Sequence, residues 1–365
     1  MHRDLERREG RGSSAAGGDT EGRRDFRSET LRGRSARGNG RLSTRSPLTQ
    51  RKCAVIGCGF VGATAAFSLM QSELFSSMVL IDIDLHKAEG EAADLNHGLP
   101  FHAPMEIYAG DYDDLVDASL IIITAGAAQK PGETRLDLAR SNTHIFRSIV
   151  SEIVKYNDTA TLLVVTNPVD VLTYRTLEFS GFPPHRVIGS GTVLDTARLK
   201  YLVGRELGVD FRNVHTFIIG EHGDSELPVW SSANISGVDL EHYCGTCVDG
   251  PGRARLREIF DDVRTSAYRI IEAKGATYYA IAESVRRIVE AIVRDEDTIL
   301  PVSSLLTGQY GLYDVCLSLP SVVGASGVHQ VLEIPLSAEE TERLVRSAET
   351  IREVLLSTED ACRRQ

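Results

Sequence analysis

Lys52-Cys53-Ala54-Val55-Ile56-Gly57-Cys58-Gly59-Phe60-Val61-Gly62-Ala63 decides how the rest of this 365-residue chain is read. An apolar run opens into glycines at the spacing G-x-G-x-x-G, and an Ala-rich helical pattern follows from Val61 to Met70. Strand, tight turn and helix are written in one line. At that spacing Gly57 makes the turn, Gly59 lets a pyrophosphate approach the backbone, and Gly62 lets the helix pack close to the strand. The phosphates then rest on unpaired N–H groups at the helix N-terminus. A chain with 32 glycines matches such a triplet by chance, so its context has to carry the reading. Met78-Val79-Leu80-Ile81 reads as a second strand and ends in Asp82, about 20 residues past the last glycine, where a carboxylate accepts hydrogen bonds from an adenosine ribose. That anion repels a 2′-phosphate, so the pattern predicts NAD rather than NADP. The competing readings are Asp84 in the same role and Asp82 as a plain strand-end turn residue.

Outward from this stretch, apolar runs alternate with amphipathic ones. Strands are predicted at 53–57, 78–82, 105–108, 119–124, 161–166 and 186–188, with helices at 61–75, 86–96, 134–156, 169–179 and 192–207 between and after them. Continuous apolar strands separated by helices indicate a parallel sheet covered on both faces. Residues 51–189 are therefore expected to form an α/β, Rossmann-type, doubly wound nucleotide-binding domain. Residues 190–365 are expected to form a C-terminal α+β catalytic domain, with a β-like run over 213–219, helices at 252–273 and 276–294, antiparallel strands over 299–334, and a helix at 337–358. The loop 125–135, with glycines near both ends, leaves the carboxyl end of a strand, where open sheets bind ligands. It reads either as a movable lid or as an ordinary connection.

A hydrophobic content of 42% and a charged content of 25% belong to an ordinary globular protein rather than a disordered one. No run is long and apolar enough to span a membrane, and no secretory signal opens the chain. The net charge of −11 argues against a nucleic-acid surface. Residues 1–50 read as a disordered basic tail rich in Arg, Gly and Ser. Its 12 Arg outnumber 7 acidic residues, yet those acids speak against an organelle transit peptide. Six scattered cysteines make no disulfide framework, and the Cys244-Gly245-Thr246-Cys247 spacing lacks a second ligand pair, so no metal is expected.

Further on stand the polar residues that interrupt these elements. Asn167-Pro168 closes a strand at the functional edge of the sheet. Asp195 and Arg198 share one helix face, which by itself reads as a surface ion pair. His222 lies in Ile219-Gly220-Glu221-His222-Gly223-Asp224, a polar turn after a β-like run, where a lone histidine is usually just solvated.

Taken together, the chain resembles the lactate and malate dehydrogenase family, most closely its bacterial-type L-lactate branch. The segments that carry the resemblance are Val55 to Gly62, Thr166-Asn167-Pro168-Val169-Asp170, Gly189-Ser190-Gly191-Thr192-Val193-Leu194-Asp195-Thr196-Ala197-Arg198, Ile219 to Asp224, and Lys274-Gly275-Ala276-Thr277-Tyr278-Tyr279. They occur in family order from Arg51 to near the C-terminus.

The resemblance implies reversible hydride transfer between NADH and pyruvate, giving L-lactate, as in glycolysis and fermentation. It matches His222 to the proton donor, a task that suits an imidazole near neutrality. Asp195 matches the acid that orients it, and Arg198 the bidentate clamp on the substrate carboxylate. Arg135 matches the lid arginine that stabilises charge on the carbonyl oxygen. Asn167 and Thr277 match pocket residues. For the cofactor it implies Gly57, Gly59, Phe60, Val61, Gly62, Asp82, Ala125, Gly126, Asn142, Thr166 and Asn167. Gln129 stands where malate dehydrogenases carry an arginine for a second carboxylate, so the substrate side chain is expected to be small and uncharged. Lys200 and His215 fall where responsive relatives bind fructose 1,6-bisphosphate; the charge is kept and the arginine fork is lost, which leaves activation open. The resemblance also implies a cytoplasmic homotetramer. The rival readings are a malate or broader 2-hydroxyacid dehydrogenase and a non-catalytic dinucleotide-binding protein.

Overall fold

In the computed structural model, the described residues are 51–128, 134–244 and 251–363. The N-terminal tail, Gln129 and the second half of the Cys244–Cys247 pair lie outside them. The first half of the fold runs β1 (Lys52–Ile56), α1 (Phe60–Gln71), β2 (Ser77–Ile81), α2 (Leu85–Gly98), β3 (Glu106–Ala109), β4 (Ala118–Ile123), α3 (Arg135–Tyr156), β5 (Thr161–Val164), α4 (Val169–Ser180) and β6 (Val187–Gly189). These six strands are all parallel, in the order β3-β2-β1-β4-β5-β6. The order reverses beside β1, so a crevice opens at the carboxyl ends of β1 and β4.

Strand periodicity builds two cores. Cys53 and Val55 point to one face of β1 and pack with α1 and with Val285, Ile288 and Ile292 of a later helix. Ala54 and Ile56 point to the other face, against Phe146 and Ile153 of α3 and Leu172 of α4. Both faces are apolar because both are covered. Local chemistry sets the helix ends. Asp84 caps α2 by accepting from the Lys87 N–H, and Thr134 with Asp137 forms a reciprocal capping box at α3. Gly181 closes α4 in a left-handed conformation, φ 65°.

The second half runs α5 (Val193–Leu207), β7 (Val214–His215), β8 (Ile218–Ile219), β9 (Leu227–Pro228), β10 (Asn234–Ile235), β11 (Val238–Asp239), α6 (Leu240–Cys244), α7 (Pro251–Lys274), α8 (Tyr279–Arg294), β12 (Thr298–Thr307), β13 (Tyr313–Gly324), β14 (Gly327–Val331) and α9 (Ala338–Arg363). Three details differ from the sequence reading. The run at 213–219 is split into β7, which pairs with β10, and β8, which pairs with β9. Helix α8 starts at Tyr279, after Gly275 takes a φ of +85°. The antiparallel strands β12, β13 and β14 do not stand apart but extend the parallel sheet to nine strands. They join it through one pairing, Ser303 with Gly189. A Cβ on Gly189 would lie 2.9 Å from the Ser303 Cβ, so only glycine admits β12 this close. Among the described residues no helix is long and apolar enough to cross a membrane.

Candidate active site

The glycine turn follows from close approach. Gly57 has φ +100°, and a Cβ there would meet the Ala125 backbone nitrogen at 2.4 Å. A Cβ on Gly62 would sit 1.8 Å from the Gly57 carbonyl oxygen, so α1 can lie on the turn only because residue 62 has no side chain. Around Gly59, by contrast, a Cβ would meet nothing within 4 Å. Gly59 is also the N-cap of α1 and offers no side-chain cap, so the first-turn N–H groups are left without a side-chain acceptor. That is the donor set an anion needs. At the end of β2, Asp82 accepts from the Cys58 N–H at 2.6 Å and from the Asp84 N–H at 3.0 Å, which draws its carboxylate over the turn. Asp84 is occupied as a helix cap.

These groups line a cleft of about 1460 Å³ that also includes Thr124, Ala125 and Gly126. It exceeds the ~300–1,000 Å³ of ordinary small-molecule pockets and suits an extended dinucleotide. Its floor is tied by Asn142, which is fully buried. The Asn142 side chain accepts from the Ala127 N–H at 2.7 Å and donates to the Asn167 carbonyl at 2.8 Å. Thr166 donates to the Ala125 carbonyl at 2.8 Å. Asn142 and Thr166 thus shape the loop after β4 and join it to the loop after β5. Phe60 stacks on Tyr278 with ring centroids 5.5 Å apart, which brings the segment holding half-buried Thr277 beside the start of α1. Val61 packs against the core beneath it.

The second cluster begins where the first ends. From Asn167, helix α4 carries Asp170 in its first turn, buried at 1% exposure. Asp170 accepts from the His222 backbone N–H at 2.7 Å and from the Ser303 hydroxyl at 2.6 Å. The turn that carries His222 is held from a second side by Ser347 of α9, which accepts from the Glu221 N–H at 2.8 Å. Backbone and helix fix the histidine before its ring makes any contact.

The ring then meets α5. His222 Nδ1 lies 2.5 Å from Asp195 Oδ2, and Arg198 Nη1 donates to Asp195 Oδ1 at 2.8 Å. One carboxylate therefore holds the imidazole on one oxygen and the guanidinium on the other. Side-chain exposure is 4% for Asp195, 14% for Arg198 and 25% for His222, so the acid is sealed and both cations reach the open side. The i, i+3 pair of Asp195 and Arg198 is a buried clasp rather than a surface ion pair. Because Nδ1 faces the carboxylate, Nε2 is the ring atom left for other chemistry. Arg198 has no further hydrogen-bond partner among the described residues and retains several N–H donors.

Electrostatics follow from this packing. Burial alone pulls the His222 pKa down, but the charge and hydrogen bond of Asp195, helped by Glu226 and Asp170, outweigh it and set the value at about 9. Burial pushes Asp195 up, and His222 with Arg198 more than reverses that, holding it below the usual carboxylate range. Burial raises Asp170 to about 6, against the pull of the Ser303 and His222 donors.

The structure thus unites Asp195, Arg198 and His222; Gly57, Gly59, Asp82, Ala125 and Gly126 line the cleft, and Gly62, Asn142, Thr166 and Asn167 lie behind that lining, joined to it by close packing and hydrogen bonds. Arg135 is the first residue of α3; its side chain and Gln129 lie outside the described set. Lys200, on α5, is largely buried with its ammonium 5.9 Å from the Phe217 ring, and desolvation lowers its pKa. His215 is exposed on β7. Sequence reasoning assigned no part to Asp170, Ser303, Ser347 and Glu226. Only Asp170 carried a signal, as an acid in the first helical turn after Asn-Pro.

Comparison with known proteins agrees along nearly the whole described chain. Residues 51–189 match the lactate/malate dehydrogenase NAD-binding domain, and residues 192–361 match the lactate/malate dehydrogenase α/β C-terminal domain. The L-lactate dehydrogenase of Acetivibrio thermocellus is 56% identical over 305 residues, which cover 84% of this chain and 96% of the relative. That of Thermoanaerobacter pseudethanolicus is 58% identical over 304 residues, covering 83% and 98%. Among solved structures, a lactate dehydrogenase from a Medee basin deep-sea metagenome library superposes with a TM-score of 0.81 at 43% identity, covering 85% of this chain and 99% of that one.

Proposed function

Because the chain belongs to the lactate/malate dehydrogenase family, we propose that it is an NAD-dependent L-lactate dehydrogenase that reduces pyruvate and oxidises L-lactate. The observation that carries this reading is the clasp in which Asp195 holds His222 and Arg198 on its two oxygens. The sealed acid keeps the imidazole charged, so Nε2 presents a proton to a carbonyl oxygen. The remaining Arg198 donors grip the single carboxylate of a 2-oxo acid. When bound, the nicotinamide supplies the hydride. Gly57, Gly59, Phe60, Val61 and Gly62 hold the pyrophosphate side of that cofactor, Asp82 the adenosine ribose, and Ala125, Gly126, Asn142, Thr166 and Asn167 the wall beside it. The uncapped first turn of α1 and the free space beside the Gly59 α-carbon support that placement. Arg135 closes over the carbonyl from the 125–135 lid, and Thr277 lines the pocket. Gln129 offers no charge to a second carboxylate, which favours pyruvate over oxaloacetate.

The domains are read as a basic tail at 1–50, a nucleotide domain at 51–189 and a substrate domain at 190–365. The enzyme is read as a cytoplasmic homotetramer serving glycolysis and fermentation. Fructose 1,6-bisphosphate is its proposed activator through Lys200 and His215. The decisive experiment replaces His222 with Asn. NADH binding, followed by fluorescence, is expected to persist while pyruvate turnover is lost. A variant that turns over at the native rate refutes the assignment, and a native protein that binds NADH without reducing any 2-oxo acid favours a non-catalytic binding protein.

A further inference from the structure

Glu226 is buried at 3% exposure, just before β9, and its Oε1 has no hydrogen-bond partner among the described residues. Polar atoms of Glu226, Asp195 and His222 all lie within 4.8 Å of one another. The charged groups around it are few. Asp195 and Arg198 face it from α5, His222 from its own turn and Arg264 from α7. Arg343 of α9 reaches toward the Glu226 backbone carbonyl, at 3.4 Å. Both nearby cations of the clasp are already bonded to Asp195. A second buried carboxylate beside the first, with one oxygen buried and unpartnered, is the arrangement in which one of the two acids keeps its proton.

We propose that Glu226 is a positioning residue that stays protonated through the reaction, so that Asp195, His222 and Arg198 together present one net positive charge to the substrate carboxylate. The inference rests on the lactate dehydrogenase reading above. With Glu226 neutral, one anion and two cations of the clasp receive one more anion and these four charges balance, while Asp170 lies behind the turn on the donors of Ser303 and His222. Were Glu226 ionised, the same substrate would leave a buried negative charge uncompensated, which is strongly penalised. Burial and the Asp195 charge raise the Glu226 pKa to about 9, in the same sense as the geometry; the charge and hydrogen bond of Asp195 are the larger causes that raise His222, so the imidazole stays charged with Glu226 neutral. Pyruvate binding is then coupled to two protons at alkaline pH, one on His222 and one on Glu226.

The test uses the full chain and two readouts. In the native enzyme the pyruvate KM is expected to climb toward a hundredfold per pH unit as both groups deprotonate, whereas Glu226→Gln leaves one group and a limit of about tenfold per unit. Equal slopes in the two proteins overturn the proposal. Infrared spectroscopy of the native protein needs no variant. At about pH 8, where a group near 6 such as Asp170 is ionised, a protonated-carboxyl C=O band is expected, and it should vanish by about pH 10. Absence of that band at the lower pH overturns the proposal even where the variant fails to fold. Loss of all 2-oxo acid turnover in the native enzyme would instead strike the functional reading, and the infrared band would still report on Glu226.

Discussion

Replacing Asp195 with Asn tests the electrostatic core of the site. The amide keeps the shape of the side chain and removes its charge. In the native site His222 rises from 6.5 to about 9 against a burial effect that pulls the other way. That rise corresponds to ~3 kcal/mol in favour of the imidazolium. The His222 side chain is only a quarter exposed, so solvent screens little of it. Without the carboxylate, burial is opposed only by the smaller effects of the remaining acids, and the imidazole is expected to titrate near 6.5. At about pH 7.5 only about a tenth of the molecules would then carry the proton that reduction requires. A tenfold loss of kcat/KM for pyruvate follows from protonation alone. Loss of the full ~3 kcal/mol would make it about a hundredfold. The sign is fixed by the direction of the shift. A raised histidine pKa favours the charged form below it, so native activity falls as pH rises through about 9, and the variant's falls through the mid-sixes. The assay is the pH dependence of kcat/KM for pyruvate, in native and variant enzyme, from about pH 6 to about pH 10. An alkaline limb that stays near 9 in Asp195→Asn would refute the reasoning. The same linkage bears on folding, because stability from the His222–Asp195 pair is complete below the unfolded value of 6.5 and is lost as pH rises through about 9.

Gly62→Ala places a methyl group 1.8 Å from a backbone carbonyl that cannot turn aside. The expected cost is on the order of 3 kcal/mol or a displaced α1, read as a lower Tm and weakened NADH binding by fluorescence titration. Native Tm and NADH affinity would show that the contact is relieved some other way. Gln129→Arg is expected to raise oxaloacetate turnover relative to pyruvate, checked by steady-state NADH oxidation with both acids; an unchanged ratio removes the lid from the account of specificity. Addition of fructose 1,6-bisphosphate at low pyruvate is expected to raise the rate, and Lys200→Ala to abolish the response; a flat native response rejects the activator.

The nucleotide half was legible because its constraints are local. Glycines 57 and 62 and Asp82 act within some thirty residues of chain, and apolar strands covered on both faces announce themselves as unbroken runs. The buried clasp was less legible from pattern. Asp195 and His222 are 27 positions apart and meet only after α5 and the turn past β8 have packed. Without the family resemblance, the Asp195–Arg198 spacing reads as a surface pair, since spacing fixes a shared helix face but not whether that face is buried. Ser303 and Glu226 were invisible for the same reason, and Asp170 showed only as an acid in the first turn of a helix. Their roles come from pairings 52, 133 and some thirty residues long, made by elements with no signature in common.

The lone pairing of Ser303 with Gly189 has a consequence for how this enzyme can be altered. Nine strands hang together at that rung, and the hydroxyl on it also steadies the acid beneath His222. Slippage of β12 by a single residue would turn Ser303 away from Asp170 and leave a buried carboxylate half satisfied. Changes anywhere along the long β12–β13 hairpin therefore have a short mechanical route to His222. Attempts to harden or graft that hairpin should monitor turnover as closely as melting, because the seam is also a hinge pin of the chemistry.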